Sequence, residues 1–379
     1  MKKLLLIHNR YQNIGGEDIA VSQERDFLKK HYEIKEIIFD NSEIRTISQF
    51  FNFVFNSNIK SKRKVLKEIK EFNPDIAYVH NTWFTASLGI FKVLKSKNIK
   101  TILKLHNYRF YCTRSYLAKN HIENDFCMGC GLKRANMFVF NKYFKESYFK
   151  SFLVIRYGKK YFNIIKNFEG TVLSLTNFQE NFLRNMGFTN NIKVIPNYLT
   201  AENDINNLSK SNNILYAGRI SKEKGVEELI NSFLDAKLIN INLDIIGDGP
   251  SYKYLVDRYG NFKNIKFLGP MSNKETLEFI AGCRAVVTAT KLYEGQPTFL
   301  AEASLFGIPS IFPNTGGVSE FFPSDYPLMF EQFDYADLKN KLQLIENEKF
   351  VEQLGKLNKK YVDENFNEPQ ILKKFKDVI

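Results

Sequence analysis

Apolar and polar positions alternate along this chain in two rhythms. Lys3-Leu-Leu-Leu-Ile7 is a continuous apolar run, followed by polar residues His8 to Gly16 and a helical pattern from about Glu17 to Lys30. The same succession returns with Ile34–Phe39, a basic helical stretch around Ser61–Phe72, and Asp75-Ile-Ala-Tyr-Val-His80. Ser87–Ser96 and Thr101-Ile-Leu-Lys-Leu-His106 continue it. Strand-like runs that alternate with helical patterns predict parallel strands joined by helical crossovers, an α/β architecture. Thr171-Val-Leu-Ser-Leu-Thr176, a helix from about Phe178, and Ile192-Lys-Val-Ile-Pro-Asn197 close the series. Pro196-Asn197 and the polar run Thr200–Asn213 then read as a linker.

A second series begins after it. Asn213-Ile-Leu-Tyr-Ala-Gly-Arg219 is a strand ending in glycine, and Lys222-Glu-Lys-Gly225 leads into an amphipathic helix, Val226 to Phe233. Leu243-Asp-Ile-Ile-Gly-Asp-Gly-Pro250 repeats strand and glycine-rich turn, and Ile265–Pro270 and Ala285–Thr288 follow. The pattern predicts two doubly wound, Rossmann-like domains, residues 1–198 and 199–361, with a C-terminal helical segment at 362–379.

Length agrees, since 379 residues suffice for two domains of the usual size. The net charge of +13 is unevenly spread: residues 1–200 hold 33 Lys and Arg against 16 Asp and Glu, residues 201–379 hold 21 against 25. A basic first half points to a polyanionic partner there, a membrane surface or nucleic acid. Much of the excess lies in 133–168, where Lys142, Lys145, Arg156, Lys159 and Lys160 interleave with rings such as Phe149, Phe152, Tyr157 and Tyr161. Such a helix suits a lipid interface, whereas no nucleic-acid-binding motif occurs, so no nucleic acid is expected. No apolar run is long enough to span a bilayer and no signal peptide is evident, so a cytoplasmic location, peripheral to the inner face of the cytoplasmic membrane, is expected. The four cysteines are too few for a disulfide framework in a chain of this length. Nothing in the sequence sets the oligomeric state.

Candidate chemistry collects at predicted strand ends. In Leu292-Tyr-Glu-Gly-Gln-Pro-Thr-Phe-Leu-Ala-Glu-Ala-Ser304, Gly295 marks a turn and Pro297, favoured at the first position of a helix, opens one. Glu294 is thereby assigned to the loop and Glu302 to the second helical turn. A helix start favours a phosphate, and two fixed acids beside it can accept hydrogen bonds from sugar hydroxyls. Arg219 and Lys224 share one strand-to-helix loop and supply the cations a diphosphate needs. In the first half, His8, His80 and His106 each end a predicted strand, the edge where open parallel sheets bind ligands, and Gly15-Gly16 allows a ligand close to the backbone. Asn107 to Cys130 is a polar excursion with Cys112, Cys127 and Cys130, which with His106 or His121 are the candidates for a zinc site. The second Cys-x-x-Cys of a zinc signature is missing, so no metal is expected.

Gly218-Arg219 with Lys224-Gly225, Gly-Asp-Gly at 247–249, Pro196-Asn197 and above all Glu294-x7-Glu302 resemble the retaining family 4 glycosyltransferases of GT-B fold. Gly15-Gly16, His106 and the Asp75–Asn81 segment are similar to elements of that family's first domain, and His106-Asn-x-Arg with the downstream cysteines is similar to a bacterial branch that builds surface polysaccharide. The resemblance implies two Rossmann-like domains facing a central cleft, with the C-terminal helix crossing back to the first. It implies transfer of a sugar, with retention, from a nucleotide-diphosphate donor (a UDP- or GDP-sugar) to a glycan or polyprenyl-linked oligosaccharide, with no further cofactor. Glu302 would then hold the ribose, Glu294 the donor sugar, and Arg219 and Lys224 the diphosphate. Gly15, Gly16, Gly249, Gly295, Pro297 and Thr298 would line the donor site and His106 would touch the sugar. His8, His80, Asn107 and Arg109 are the candidates for the acceptor side. A nucleotide-sugar epimerase of the same fold and a non-catalytic membrane- or nucleic-acid-binding protein are the competing readings.

Overall fold

The computed structural model of the chain describes residues 1–10, 15–41, 54–112, 147–200 and 210–379. They fall into two compact units, Met1–Tyr198 with Ile371–Ile379, and Leu199–Gln370.

The first unit is built on six parallel strands, β1 (Lys3–Arg10), β2 (Glu33–Asp40), β3 (Ile76–Val79), β4 (Lys100–Lys104), β5 (Thr171–Ser174) and β6 (Asn191–Val194), in the order β2-β1-β3-β4-β5-β6. Helices α1 (Gly16–Lys29), α2 (Ile59–Phe72), α3 (Gly89–Ser96), α4 (Tyr148–Lys166) and α5 (Asn177–Asn185) are its described crossovers. β3 and β5 are buried along their whole length, which explains why the sequence shows continuous apolar runs in place of alternation. The chain runs outward from β1 to β2 and then returns to the other side of β1 as β3. Between β1 and β3 the strand order therefore reverses, and a crevice is left at their C-terminal ends.

Two features bind this unit together. Ile371, Phe375, Val378 and Ile379 lie in one core cluster with Leu4, Phe27, Tyr78 and Ile102. In the same region Lys104 Nζ lies 2.7 Å from Glu24 Oε1, with both side chains fully buried. Tyr78 Oη donates to the same carboxylate oxygen at 3.0 Å, and Phe375 lies under the ammonium at 5.7 Å. Burial pushes the Glu24 carboxyl up and the Lys104 ammonium down, and each partner opposes the shift of the other.

The second unit repeats the design with β7 (Asn213–Ala217), β8 (Asn242–Ile246), β9 (Ile265–Gly269), β10 (Ala285–Val287), β11 (Ser310–Asn314) and β12 (Met329–Glu331), ordered β12-β11-β10-β7-β8-β9. Its crossover helices are α6 (Val226–Ala236), α7 (Tyr252–Tyr259), α8 (Asn273–Gly282) and α9 (Thr298–Leu305). Helices α10 (Tyr335–Leu344) and α11 (Glu348–Asn365) follow the last strand, and α12 (Glu368–Lys376) leads back to the first unit's core. Here the reversal falls between β7 and β10.

Removing one member of a buried ion pair leaves the other charge uncompensated, whereas replacing both by apolar groups is close to neutral. Lys104→Met is therefore expected to cost about 3–5 kcal/mol in urea unfolding, and Lys104→Met with Glu24→Leu to recover most of it. Additive losses in the double variant would contradict this account.

Candidate functional site

The reversal between β7 and β10 brings four loops of the second unit to one strand edge. After β7 the chain passes through Gly218 and Arg219 to a short 3-10 turn, Lys222–Lys224, and into α6 at Gly225. Gly225 has φ +68°, and a Cβ there would lie 2.0 Å from the Ala289 carbonyl oxygen. Only glycine suits both the left-handed backbone and this approach of the β7 and β10 loops. Lys291 N donates to Glu223 O at 3.0 Å, a second tie between the same loops.

Across this junction Lys224 Nζ lies 2.5 Å from Glu294 Oε1, with side-chain exposures of 29% and 26%. Thr290 Oγ1 donates to the same oxygen at 3.0 Å. The Glu294 backbone is held from the other side, where Gly317 N donates to Glu294 O at 3.1 Å. Gly316, at φ +58°, comes so close that a Cβ would sit 2.4 Å from that oxygen. Thr315 Oγ1 donates to Leu292 O at 3.2 Å. Glu294 is thus a loop carboxylate with a fixed backbone and a partly exposed tip. Arg219 is exposed nearby in sequence, its carbonyl accepting from Tyr216 Oη at 2.9 Å. Gly249 lies in the loop after β8, its N–H donating to Asp248 Oδ1 at 2.6 Å.

Helix α9 begins at Thr298 with Pro297 as its N-cap, one position before the first helical residue where proline is favoured. Gly295 is buried in the turn ahead of it, and Pro297 and Thr298 are half-buried. Glu302 falls in the second turn and is only 7% exposed. Among the described residues nothing hydrogen-bonds its carboxyl group, and burial pushes its pKa up to about 7. A buried acid without a partner is costly unless a ligand completes it. Chemically, the edge offers two carboxylates, two cations and the N-terminal turns of α6 and α9.

In the first unit the three strand-end histidines differ in environment. His8 is 2% exposed, and its Nε2 lies 2.8 Å from Asp18 Oδ1. Asp18 also accepts from the N–H of Gly15, the N-cap of α1, at 3.0 Å, so the first helical turn, from Gly16, is anchored to the end of β1. Among the described residues a Cβ at Gly15 would meet nothing within 4 Å. His80 is also 2% exposed, and its Nδ1 lies 2.8 Å from His106 Nε2. His106 is half-buried and lines a small recess with Glu17, Trp83, Asn107 and Tyr161. Asn107 Nδ2 donates to Glu17 Oε2 at 2.8 Å, and the Arg109 guanidinium lies 5.8 Å from the Trp83 ring centre.

Cys112 is buried, while Cys127, Cys130 and His121 lie outside the described residues. Among the described residues no group of three or more His, Cys, Asp or Glu could hold a metal ion. Of the basic aromatic segment, Lys142 and Lys145 also lie outside them. Helix α4 turns Tyr157 and Tyr161 inward against Trp83, at 4.6 and 5.8 Å. It leaves Tyr148, Phe149 and Phe152 at 63%, 57% and 50% exposed, with Arg156 exposed as well. No described helix is long and apolar enough to cross a membrane.

Sequence reasoning missed three parts of these edges. The Thr315-Gly316-Gly317 clasp was marked by a glycine doublet directly after a strand. Lys104 and Glu24 were marked by a lone lysine inside the apolar run 101–106. Asn9 and Asn81 join the ends of β1 and β3 through Asn81 Nδ2 donating to Asn9 O at 2.9 Å, and they carried no separate signal.

Residues 200–361, most of the second unit, match the family model of the glycosyl transferases group 1. The chain is 25% identical over 345 residues to an uncharacterized glycosyltransferase of Methanocaldococcus jannaschii, covering 78% of this chain and 74% of that protein. It is 23% identical over 216 residues to the amylovoran biosynthesis glycosyltransferase AmsD of Erwinia amylovora, covering 55% and 61%. In fold it is similar to the sucrose-phosphate synthase of Thermosynechococcus elongatus, with a TM-score of 0.72 at 16% identity and coverage of 100% and 98%. It is also similar to Anabaena HepE, solved in complex with UDP and glucose, with a TM-score of 0.67 at 15% identity and coverage of 100% and 99%. The second unit thus matches the glycosyl transferases group 1, and the two parallel doubly wound sheets give the chain the GT-B fold.

Proposed function

We propose that the protein is a retaining, metal-independent family 4 glycosyltransferase that moves a sugar from a UDP- or GDP-sugar to a hydroxyl of a growing surface polysaccharide. The observation that carries this reading is the Lys224–Glu294 pair at the strand-order reversal of the second sheet, 2.5 Å apart and partly exposed. An exposed ion pair contributes about 0–1 kcal/mol, so a ligand with a stronger claim on each partner can separate it at little cost. A diphosphate would draw Lys224, joined by Arg219, and the sugar's hydroxyls would draw Glu294. Glu302, buried and without a hydrogen-bond partner among the described residues, would receive the ribose hydroxyls. Gly249, Gly295, Pro297 and Thr298 would complete the donor site. Likeness to a protein of amylovoran biosynthesis supports the polysaccharide assignment.

In this mechanism the leaving diphosphate oxygen takes the proton of the incoming hydroxyl on the same face of the sugar, and no enzyme nucleophile is needed. Lys224 and Arg219 stabilise the charge that develops on that oxygen, the largest contribution such a site can make. His106 would meet the donor sugar, with Asn107 and Arg109 on the acceptor side. The acceptor is a polyprenyl-linked oligosaccharide, and the exposed rings and cations of α4 would hold the enzyme at the lipid surface where that acceptor lies.

Lys224→Ala is expected to lower kcat/KM for sugar transfer by about 2–4 kcal/mol, roughly 30- to 1000-fold; turnover near wild type would sink the assignment. Because Glu302 has its pKa raised to about 7 and hydroxyls prefer the ionised acceptor, nucleotide-sugar affinity should rise as pH increases through 7. Glu302→Gln should abolish that dependence in calorimetry with an intact nucleotide sugar, whose own phosphates do not titrate there; an unchanged profile would remove Glu302 from the site. Neutralising Arg156, Lys159 and Lys160 together should weaken partition onto anionic vesicles by about 1 kcal/mol for each charge. Partition equal to wild type would count against the membrane role of α4.

A further inference from the structure

Among the described residues, α3 and α4 of the first unit leave a groove between them of about 720 Å3, the size of a small-molecule site. Its floor is apolar, formed by Leu88, Phe91, Ile99, Ile164 and Phe168. The Phe91 and Phe168 rings meet edge to face, with centres 5.9 Å apart. Gly170 closes one end, where a Cβ would lie 2.1 Å from the Thr101 carbonyl oxygen. That end adjoins the starts of β4 and β5, the sheet edge opposite His80 and His106, and the groove shares no lining residue with the recess at His106.

Four lysines stand around this floor, and they differ in what they meet. Lys95 pairs with Glu169 at 2.6 Å, and Lys100 Nζ donates to Val378 O at 2.7 Å. Lys92 and Lys160 have no hydrogen-bond or ion-pair partner among the described residues, and neither has Arg156, one turn before Lys160. Burial lowers the Lys160 ammonium below its usual pKa, and the charges of Lys92 and Arg156 add to the shift with no carboxylate opposing it. Three cations held together without a counterion favour an anion beside them. On α4, Phe152, Arg156, Lys160 and Asn163 recur at intervals of four, four and three, so they share one helix face. That face passes from a ring that is 50% exposed, through two cations, into the groove.

We propose that the groove seats one anionic phospholipid of the bilayer, its phosphate between Lys92 and Lys160 and the first part of an acyl chain along Phe91 and Ile164. A free phosphate would satisfy the cations and leave the apolar floor in water. A zwitterionic lipid would cover the floor but bring a positive charge to a cluster that already has three. An anionic phospholipid answers both halves of the groove. The inference rests on α4 lying at a lipid surface and adds to it a site for a single molecule, whereas scattered surface charge attracts any anionic membrane without regard to chain or headgroup.

The test titrates the full-length protein by calorimetry with dihexanoyl phosphatidylglycerol below the concentration at which it forms micelles, so that no membrane surface is present. One molecule per chain should bind, roughly 10-fold or more tighter than dihexanoyl phosphatidylcholine or glycerol 3-phosphate, and amide exchange should slow across residues 88–100 and 160–170. Lys92→Gln with Lys160→Gln should weaken binding roughly 10- to 100-fold. Arg63→Gln with Lys70→Gln removes the same charge from α2 and should change it less than about twofold. Equal losses in the two double variants, or no saturable binding, would overturn the proposal. Glycerol 3-phosphate bound as tightly as the lipid would overturn the lipid assignment, because the apolar floor would then contribute nothing. The membrane role of α4 fails separately: it falls if wild type ignores anionic vesicles while the short-chain lipid still binds. It stands, and the groove proposal falls, if vesicles hold the protein and the short-chain lipid does not bind.

Discussion

Parallel pairing is the constraint on which the rest depends. Because all six strands of each sheet run the same way, every strand-to-helix loop on the C-terminal side leaves from one edge. The order then reverses once, between β1 and β3 in the first unit and between β7 and β10 in the second. A reversal sends neighbouring loops to opposite faces of the sheet and opens a crevice that side chains or ligands must fill. In the first unit it is framed by Asn9, Asn81 and the histidines. In the second it is framed by Lys224, Glu294 and the backbone of residues 315–317.

The two ion pairs of the molecule with most bearing on this design have opposite energetics. Glu24–Lys104 is fully buried, so its attraction is set against the desolvation of both charges and its rupture strands one of them. It is a permanent part of the core, joining α1 to β4 and contacting Phe375 of α12. Lys224–Glu294 keeps about a quarter of each side chain in water, which screens the attraction and makes exchange cheap. One pair ties a helix to the sheet; the other is a partly exposed contact between two loops.

The elements were legible in the sequence where a residue reports its surroundings directly. Leu4–Ile7 and Ile76–Val79 read as strands because both faces are buried and no polar residue interrupts them. Strand order was not legible, since the same alternation of strand and helix is compatible with many orders. The individual groups of the site carried their own chemistry: Arg219 and Lys224 as cations, Glu294 and Glu302 as acids flanking a glycine-proline turn. Their meeting did not, because Lys224 and Glu294 are 70 positions apart and approach only through β7 pairing with β10. The same holds for Lys104 and Glu24, 80 positions apart, and for His80 with His106, whose hydrogen bond depends on the register of β3 against β4.

The central claim is that the crevice beside β7 and β10 takes the nucleotide sugar. Amide hydrogen exchange read by mass spectrometry, with and without a saturating UDP- or GDP-sugar, addresses it most directly. The account predicts slowed exchange across residues 218–226, 290–302 and 315–317, where loop backbone and helix starts would meet the ligand. Unchanged exchange in all three segments, with protection appearing only elsewhere, would contradict it.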